Sequence, residues 1–143
     1  KLCKSLEKCP QLEVLKLQIG PSRLGNQPLT ILAKTICELK NLESIYLEMG
    51  GSYQVSHDVL RKLLNGLTHL KGLSNVVLRL SCVKVNESLA IGMNNMISCL
   101  KRLNCIDLRI KSGQRDSLAE RKIKSMVKKF EERMKITVTT PSI

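Results

Sequence analysis

Six cysteines and two histidines are the residues of this 143-residue chain best suited to metal, redox or nucleophilic chemistry. Their spacing points elsewhere. No CxxC pair occurs, and neither His57 nor His69 stands at a zinc-ligand spacing from two cysteines. Cys9, Cys37, Cys99 and Cys105 fall inside or beside apolar patterns, where a thiol acts as a small hydrophobe. Free structural thiols in a reducing compartment are therefore expected in place of a disulfide framework. The sequon-like Asn86-Glu87-Ser88 reads better as a helix start with Asn86 as its cap. Gly50-Gly51-Ser52 lacks the Gly-Lys-Ser/Thr that a phosphate-binding loop needs, and His57 beside Asp58 falls in the first turn of a helix, a surface position. No Walker, GxGxxG, GxSxG, HExxH or EF-hand pattern is present. The expectation is a non-enzyme with no cofactor, no bound metal and no small-molecule substrate.

With catalysis set aside, the residues able to act are those that meet another macromolecule. The net charge is +12, and by segment it is +3 over 1–38, 0 over 39–70, +2 over 71–100 and +7 over 101–143. Apolar residues make up 43% of the chain, so it can fold, but the aromatics are only Tyr46, Tyr53 and Phe130. Leu, Ile, Val and Met must fill the core. No apolar run approaches the roughly 20 residues that span a bilayer.

The elements that position these residues follow from an internal repeat. CPQLEVLKLQI from Cys9, LKNLESIYLEM from Leu39, LKGLSNVVLRL from Leu70 and LKRLNCIDLRI from Leu100 share the frame LxxLxxLxLxL at spacings of 30, 31 and 30 residues. Its second anchor is Leu12, Leu42, Leu73 and Leu103. A degenerate fifth copy, MKITV from Met134, aligned on its first residue, begins 28 residues after Ile106.

Each unit carries two periods. Ile45-Tyr46-Leu47-Glu48-Met49 alternates as a strand with one buried face. Leu60, Leu63, Leu64, Leu67 and Leu70 form one helical stripe, with Ser56 placed to cap it and Val55 and Leu60 as a hydrophobic staple. Asn26 with Pro28 marks the start of a helix striped by Leu29, Leu32, Ala33, Ile36 and Leu39. A third stripe runs Leu89, Met93, Met96, Ile97 and Leu100. A last helix opens with the box Ser117-Leu118-Ala119-Glu120 and buries Ile123, Met126, Val127 and Phe130. Strands are expected near 14–19, 44–49, 75–80, 105–110 and 134–138, all in a single domain over 1–143.

From Leu2 to Val138 this frame resembles the leucine-rich repeat family in its longer, ribonuclease-inhibitor-like form with a helix in every unit. The resemblance implies an α/β solenoid, a short right-handed arc with a parallel inner sheet and outer helices. Strands at about 4.8 Å spacing and helices at roughly 8–10 Å would make such a stack curve. It also implies a binding role. The family's Asn after the strand is replaced here by Pro21, Ser52, Val83 and Ser112. The opening on Lys1, with helix-like residues and no capping unit, reads as a piece of a longer chain.

Two surfaces follow. The exposed positions of the inner sheet form one column of Lys16, Tyr46, Val77, Asp107 and Lys135 and a second of Gln18, Glu48, Arg79, Arg109 and Thr137. Tyr46 beside Val77, with Arg79 and Glu48 close by, has the composition of a protein-binding hot spot. The second surface is the basic last helix, where Arg121, Lys122, Lys124, Lys128, Lys129 and Arg133 could contact an anion or RNA phosphates. Lacking an exposed aromatic for base stacking, that reading comes second. The expectation is an intracellular scaffold, cytoplasmic rather than nuclear, that engages a protein or a larger complex.

Overall fold

In the computed structural model, which describes residues 1–20, 25–49, 56–81, 86–111, 117–131 and 135–139, strands and helices alternate along the chain. The order is α1 (Leu2–Leu6), β1 (Val14–Ile19), α2 (Asn26–Glu38), β2 (Ser44–Met49), α3 (His57–Leu67), β3 (Asn75–Ser81), α4 (Glu87–Cys99), β4 (Cys105–Lys111), α5 (Ser117–Phe130) and β5 (Lys135–Thr139). The five strands form one parallel sheet in the order β1-β2-β3-β4-β5. Among the described residues, no helix is long and apolar enough to cross a membrane.

The alternation within each strand divides the sheet into two faces. Ile45, Leu47 and Met49 are buried, and Leu47 and Met49 line a small cavity with Leu29, Leu32 and Ile36 of α2 and Val59 and Leu63 of α3. The intervening Tyr46 and Glu48 stay on the other face, because successive strand side chains point to opposite sides. The helices form one layer in chain order, α2 against α3, α3 against α4 and α4 against α5.

Between each helix and the next strand the same turn recurs. Leu42, Leu73 and Leu103 donate their N–H to the carbonyls of Leu39, Leu70 and Leu100, at 3.1, 3.0 and 3.2 Å. All six of those leucines are buried. Successive turns are also tied to each other. Glu13 O accepts from the N–H groups of Glu43 and Ser44, Glu43 O from those of Ser74 and Asn75, and Ser74 O from those of Asn104 and Cys105. Backbone groups that a buried turn would strand are thus paired from unit to unit. Leu12 and Leu17, in the first unit with only five-residue α1 beside it, are half-buried.

Several local expectations hold. Ser56 Oγ accepts from Val59 N at 3.3 Å, and Asn86 Oδ1 accepts from Leu89 N at 2.9 Å, so both are N-caps. Phe130 is buried on the stripe of α5. β3 and β4 each run one residue longer than expected.

Others change. The cap position of α2 is Gly25, and Asn26 is already helical. Its Oδ1 accepts from Ser56 N of the next unit at 3.1 Å, so the side chain links units instead of capping its own helix. Pro28 sits in the first turn, where its missing N–H costs nothing. β5 begins at Lys135, and Ile136, not Met134, stands opposite Ile106. The last spacing is therefore 30 residues, like the others. Lys135 faces Cys105 and Thr137 faces Asp107. A two-residue slip leaves every side chain on its original face, so alternation alone could not fix that register. Cys9 and Cys99 are exposed. Cys99 lies off the stripe of Met93, Met96, Ile97 and Leu100, and Cys9 stands in the little-covered first unit. The 50–52 glycine loop, Val55 and the post-strand positions Pro21, Ser52, Val83 and Ser112 lie outside the described residues, as do the side chains of Ser117, Ala119 and Glu120, while Leu118 is exposed.

Cys37 behaves as the small hydrophobe expected. Burial pushes its thiol up to about 11. Its Sγ lies only 2.0 Å from where a side-chain carbon on Gly66 would be. Gly66 is what lets α3 approach α2 this closely. Gly66→Ala should destabilise the fold despite alanine's better helix propensity, by about 1–3 kcal/mol, the usual cost of overpacking. Adding Cys37→Ala should recover part of the loss. Denaturant unfolding checks both, and a Gly66→Ala variant as stable as the parent would contradict the α2–α3 packing.

Candidate functional site

On the open face of the sheet, four polar or charged residues from three strands, Lys16, Gln18, Glu48 and Arg79, gather around Tyr46. Parallel register sets Lys16 of β1 and Val77 of β3 directly beside Tyr46 of β2. The same register sets Gln18 and Arg79 on either side of Glu48. Tyr46 and Glu48 are two residues apart on one strand and so share a face. The phenol donates to Glu48 Oε2 at 2.5 Å, while Arg79 Nη1 donates to the phenol oxygen at 2.7 Å. Gln18 Nε2 donates to the same carboxylate oxygen at 3.1 Å, and Arg79 Nη1 lies 3.6 Å from it.

The tyrosine ring is bracketed by cations. Lys16 Nζ and the Arg79 guanidinium carbon each lie 5.1 Å from its centroid, within cation–π range. Arg79 Nε is buried with no hydrogen-bond partner among the described residues. Tyr46 is therefore held in one orientation by a ring of contacts, with its ring only half-buried. Farther along the sheet Arg109 Nε donates to both carboxylate oxygens of Asp107, at 3.3 and 3.2 Å. That pair draws Arg109 away from Arg79, its neighbour in register.

The network shifts two titrations in opposite directions. Glu48 as hydrogen-bond acceptor, with some desolvation, holds the Tyr46 phenol above its ordinary value. The Tyr46 hydroxyl, followed by Gln18, holds Glu48 below the usual carboxylate range. The signs define a window. Stabilisation from Glu48 is present at neutral pH and is lost as pH falls through its depressed pKa, whereas that from Tyr46 is lost as pH rises through its elevated one.

The sheet brings Lys16, Gln18, Tyr46, Glu48 and Arg79 together with Val77 alongside, and sets Asp107 and Arg109 one strand further on. The last-helix residues are separate, in the helix layer. Arg121, Lys122, Lys124, Lys128 and Lys129 are exposed on α5, and Arg133 lies outside the described residues. Lys122 is paired with Glu87 of α4. That bond was not foreseen from the i,i+4 pattern of α5, because it joins residues 35 positions apart. The role of Gln18 was likewise hidden. It depends on β1–β2 register, which the repeat spacing supplies once the units are aligned. No group of three or more metal-ligating side chains occurs among the described residues.

Compared with models of known protein families and with curated proteins, the chain matches none.

Phenol absorbance followed against pH tests this geometry, with Tyr46→Phe subtracted to remove the contribution of Tyr53. Glu48→Gln should move the Tyr46 midpoint down toward the ordinary phenol value near 10. A midpoint unmoved by that change would refute the Tyr46–Glu48 bond.

Proposed function

We propose that this chain is a leucine-rich-repeat arc of the ribonuclease-inhibitor-like kind, acting as a non-catalytic protein-binding or scaffold module inside a larger intracellular assembly. Support for the repeat reading comes from the recurring turn, the unit-to-unit backbone bonds and the in-order parallel sheet with one helix layer. Helices need more lateral room than strands, so such a stack curves with the sheet inside.

The observation that carries the binding reading is Tyr46 braced between Lys16, Arg79 and Glu48 on a face that no described helix covers. Tyrosine and arginine are the residue types that dominate binding energy at protein interfaces. An aromatic held in place before contact loses little further side-chain entropy on binding. Gln18, Asp107 and Arg109 would form a polar rim around it, with Val77 as an apolar contact.

RNA binding through the basic last helix draws support from the +7 charge of residues 101–143. It is the weaker reading. Glu87 partly neutralises Lys122, and Phe130, the aromatic of that helix, is buried, leaving phosphate contacts without base stacking.

Tyr46→Ala combined with Arg79→Ala should abolish capture of a protein partner. The pair is surface-exposed enough that stability should fall by no more than about 1 kcal/mol. Affinity purification with parent and variant, alongside thermal melting, measures both. Undiminished capture would reject the sheet face as the site. Binding to single-stranded RNA at low salt that survives Tyr46→Ala and falls steeply with added salt would favour the RNA reading instead.

A further inference from the structure

The α4–α5 junction of the helix layer differs from the α2–α3 and α3–α4 junctions. Where α3 meets α2, Gly66 lies against Cys37, and where α4 meets α3, Gly92 lies against Leu64, with 3.1 Å between Leu64 Cδ1 and the position of a glycine side-chain carbon. In each case the later helix offers a glycine to the earlier one. α5, with the sequence SLAERKIKSMVKKF, has no glycine to offer. A groove of ≈ 270 Å³ stands between α4 and α5 in place of a close approach.

The groove is built from two helix faces. Ala90 and Met126 lie on its apolar side, Ile91 is 51% exposed, Asn94 and Ser125 add polar groups, and Lys122 and Lys129 complete the α5 side. Lys122 and Lys129 are seven residues apart, about 10 Å along the helix axis. Both ammonium groups are already steered. Lys122 is bound by the Glu87 carboxylate, and Lys129 Nζ stands 5.2 Å from the centre of the anchored Phe130 ring. The Glu87 contact demonstrates the ligand type that this rim accepts, a carboxylate.

We propose that the α4–α5 groove docks an acidic segment of a partner protein, one apolar side chain seated against Ile91 and Met126 and a carboxylate at each lysine. Charge complementarity selects an acidic occupant, and the exposed isoleucine selects a peptide over a polyphosphate. In a polyproline-II segment, carboxylates three residues apart point to the same side and are separated by about 9 Å, close to the spacing of the two lysines. Glu87 then acts as an internal competitor for Lys122. The surface lies on the helix layer, apart from the Tyr46 face, so the chain would carry two independent contact sites.

Fluorescence anisotropy on the full chain tests this with a labelled peptide holding two glutamates three residues apart and a leucine between them. Lys122→Ala and Lys129→Ala should each weaken binding about three- to fivefold. Ile91→Ser should weaken it about tenfold, as the loss of one apolar anchor would. Glu87→Gln should tighten it, by freeing Lys122. Lys128→Ala, off the groove, should leave it unchanged. All the substituted positions except Ile91 are charged and exposed, and Ile91 is itself half in solvent, so melting temperatures should stay near the parent's. Equal losses from Lys128→Ala and Lys129→Ala, or indifference to Ile91→Ser, would reduce the site to diffuse positive charge and overturn the proposal. Tighter binding of a uridine oligonucleotide than of the peptide at the same salt would overturn it too.

Discussion

The fold hangs on a pair of leucines at each passage from helix to strand. Leu39 with Leu42, Leu70 with Leu73 and Leu100 with Leu103 close a short turn through a backbone bond between two buried residues. Each of these side chains is buried between the helix layer and the sheet. Full burial of a leucine contributes roughly 1.5–3 kcal/mol, so the pairs supply a large share of the cohesion of each unit. They also fix where each strand begins. Once Leu42, Leu73 and Leu103 occupy equivalent places, the following strands are forced into register, and Tyr46, Val77 and Asp107 must fall in line.

That constraint decides what the surface can do. The helices cover one face of the sheet, and alternation puts every second side chain on the other. Tyr46 has partners from both neighbouring strands only because register puts Lys16 beside it and Arg79 diagonal to it, two residues beyond its neighbour Val77. The same repetition governs the helix layer. Glycines at Gly66 and Gly92 draw three helices together, and their absence from α5 leaves the basic end of the molecule with an open seam. Of the +12 net charge, +7 falls in residues 101–143, while on the sheet face cations and carboxylates pair with one another.

Much of this was legible in the sequence. Repeat spacing and alternation gave strands at 14–19 and 44–49 to the residue, the stripes of all four longer helices, the caps Ser56 and Asn86, and the column holding Tyr46. What escaped has definite causes. The β5 register was off by two because Met134, Ile136 and Val138 keep the same parity under that shift. The link from Asn26 to Ser56, and that from Lys122 to Glu87, join residues about 30 or more apart and depend on how neighbouring units are seated. Cys9 and Cys99 fall inside or beside apolar patterns in the sequence, but both are exposed, because flanking apolar residues do not fix which way a side chain points. The hydrogen bond from Tyr46 to Glu48 needed only the i,i+2 rule for strands, and was within reach.

The central claim is that the open sheet face, and Tyr46 in particular, is where a protein partner sits. Site-specific photocrosslinking tests it most directly, with the reactive group placed once at Val77, beside Tyr46 on the sheet, and once at Ile31, exposed on α2 in the helix layer. The account predicts a discrete protein adduct from Val77 and none from Ile31. Adducts of equal yield at both positions, or an adduct from Ile31 alone, would contradict it.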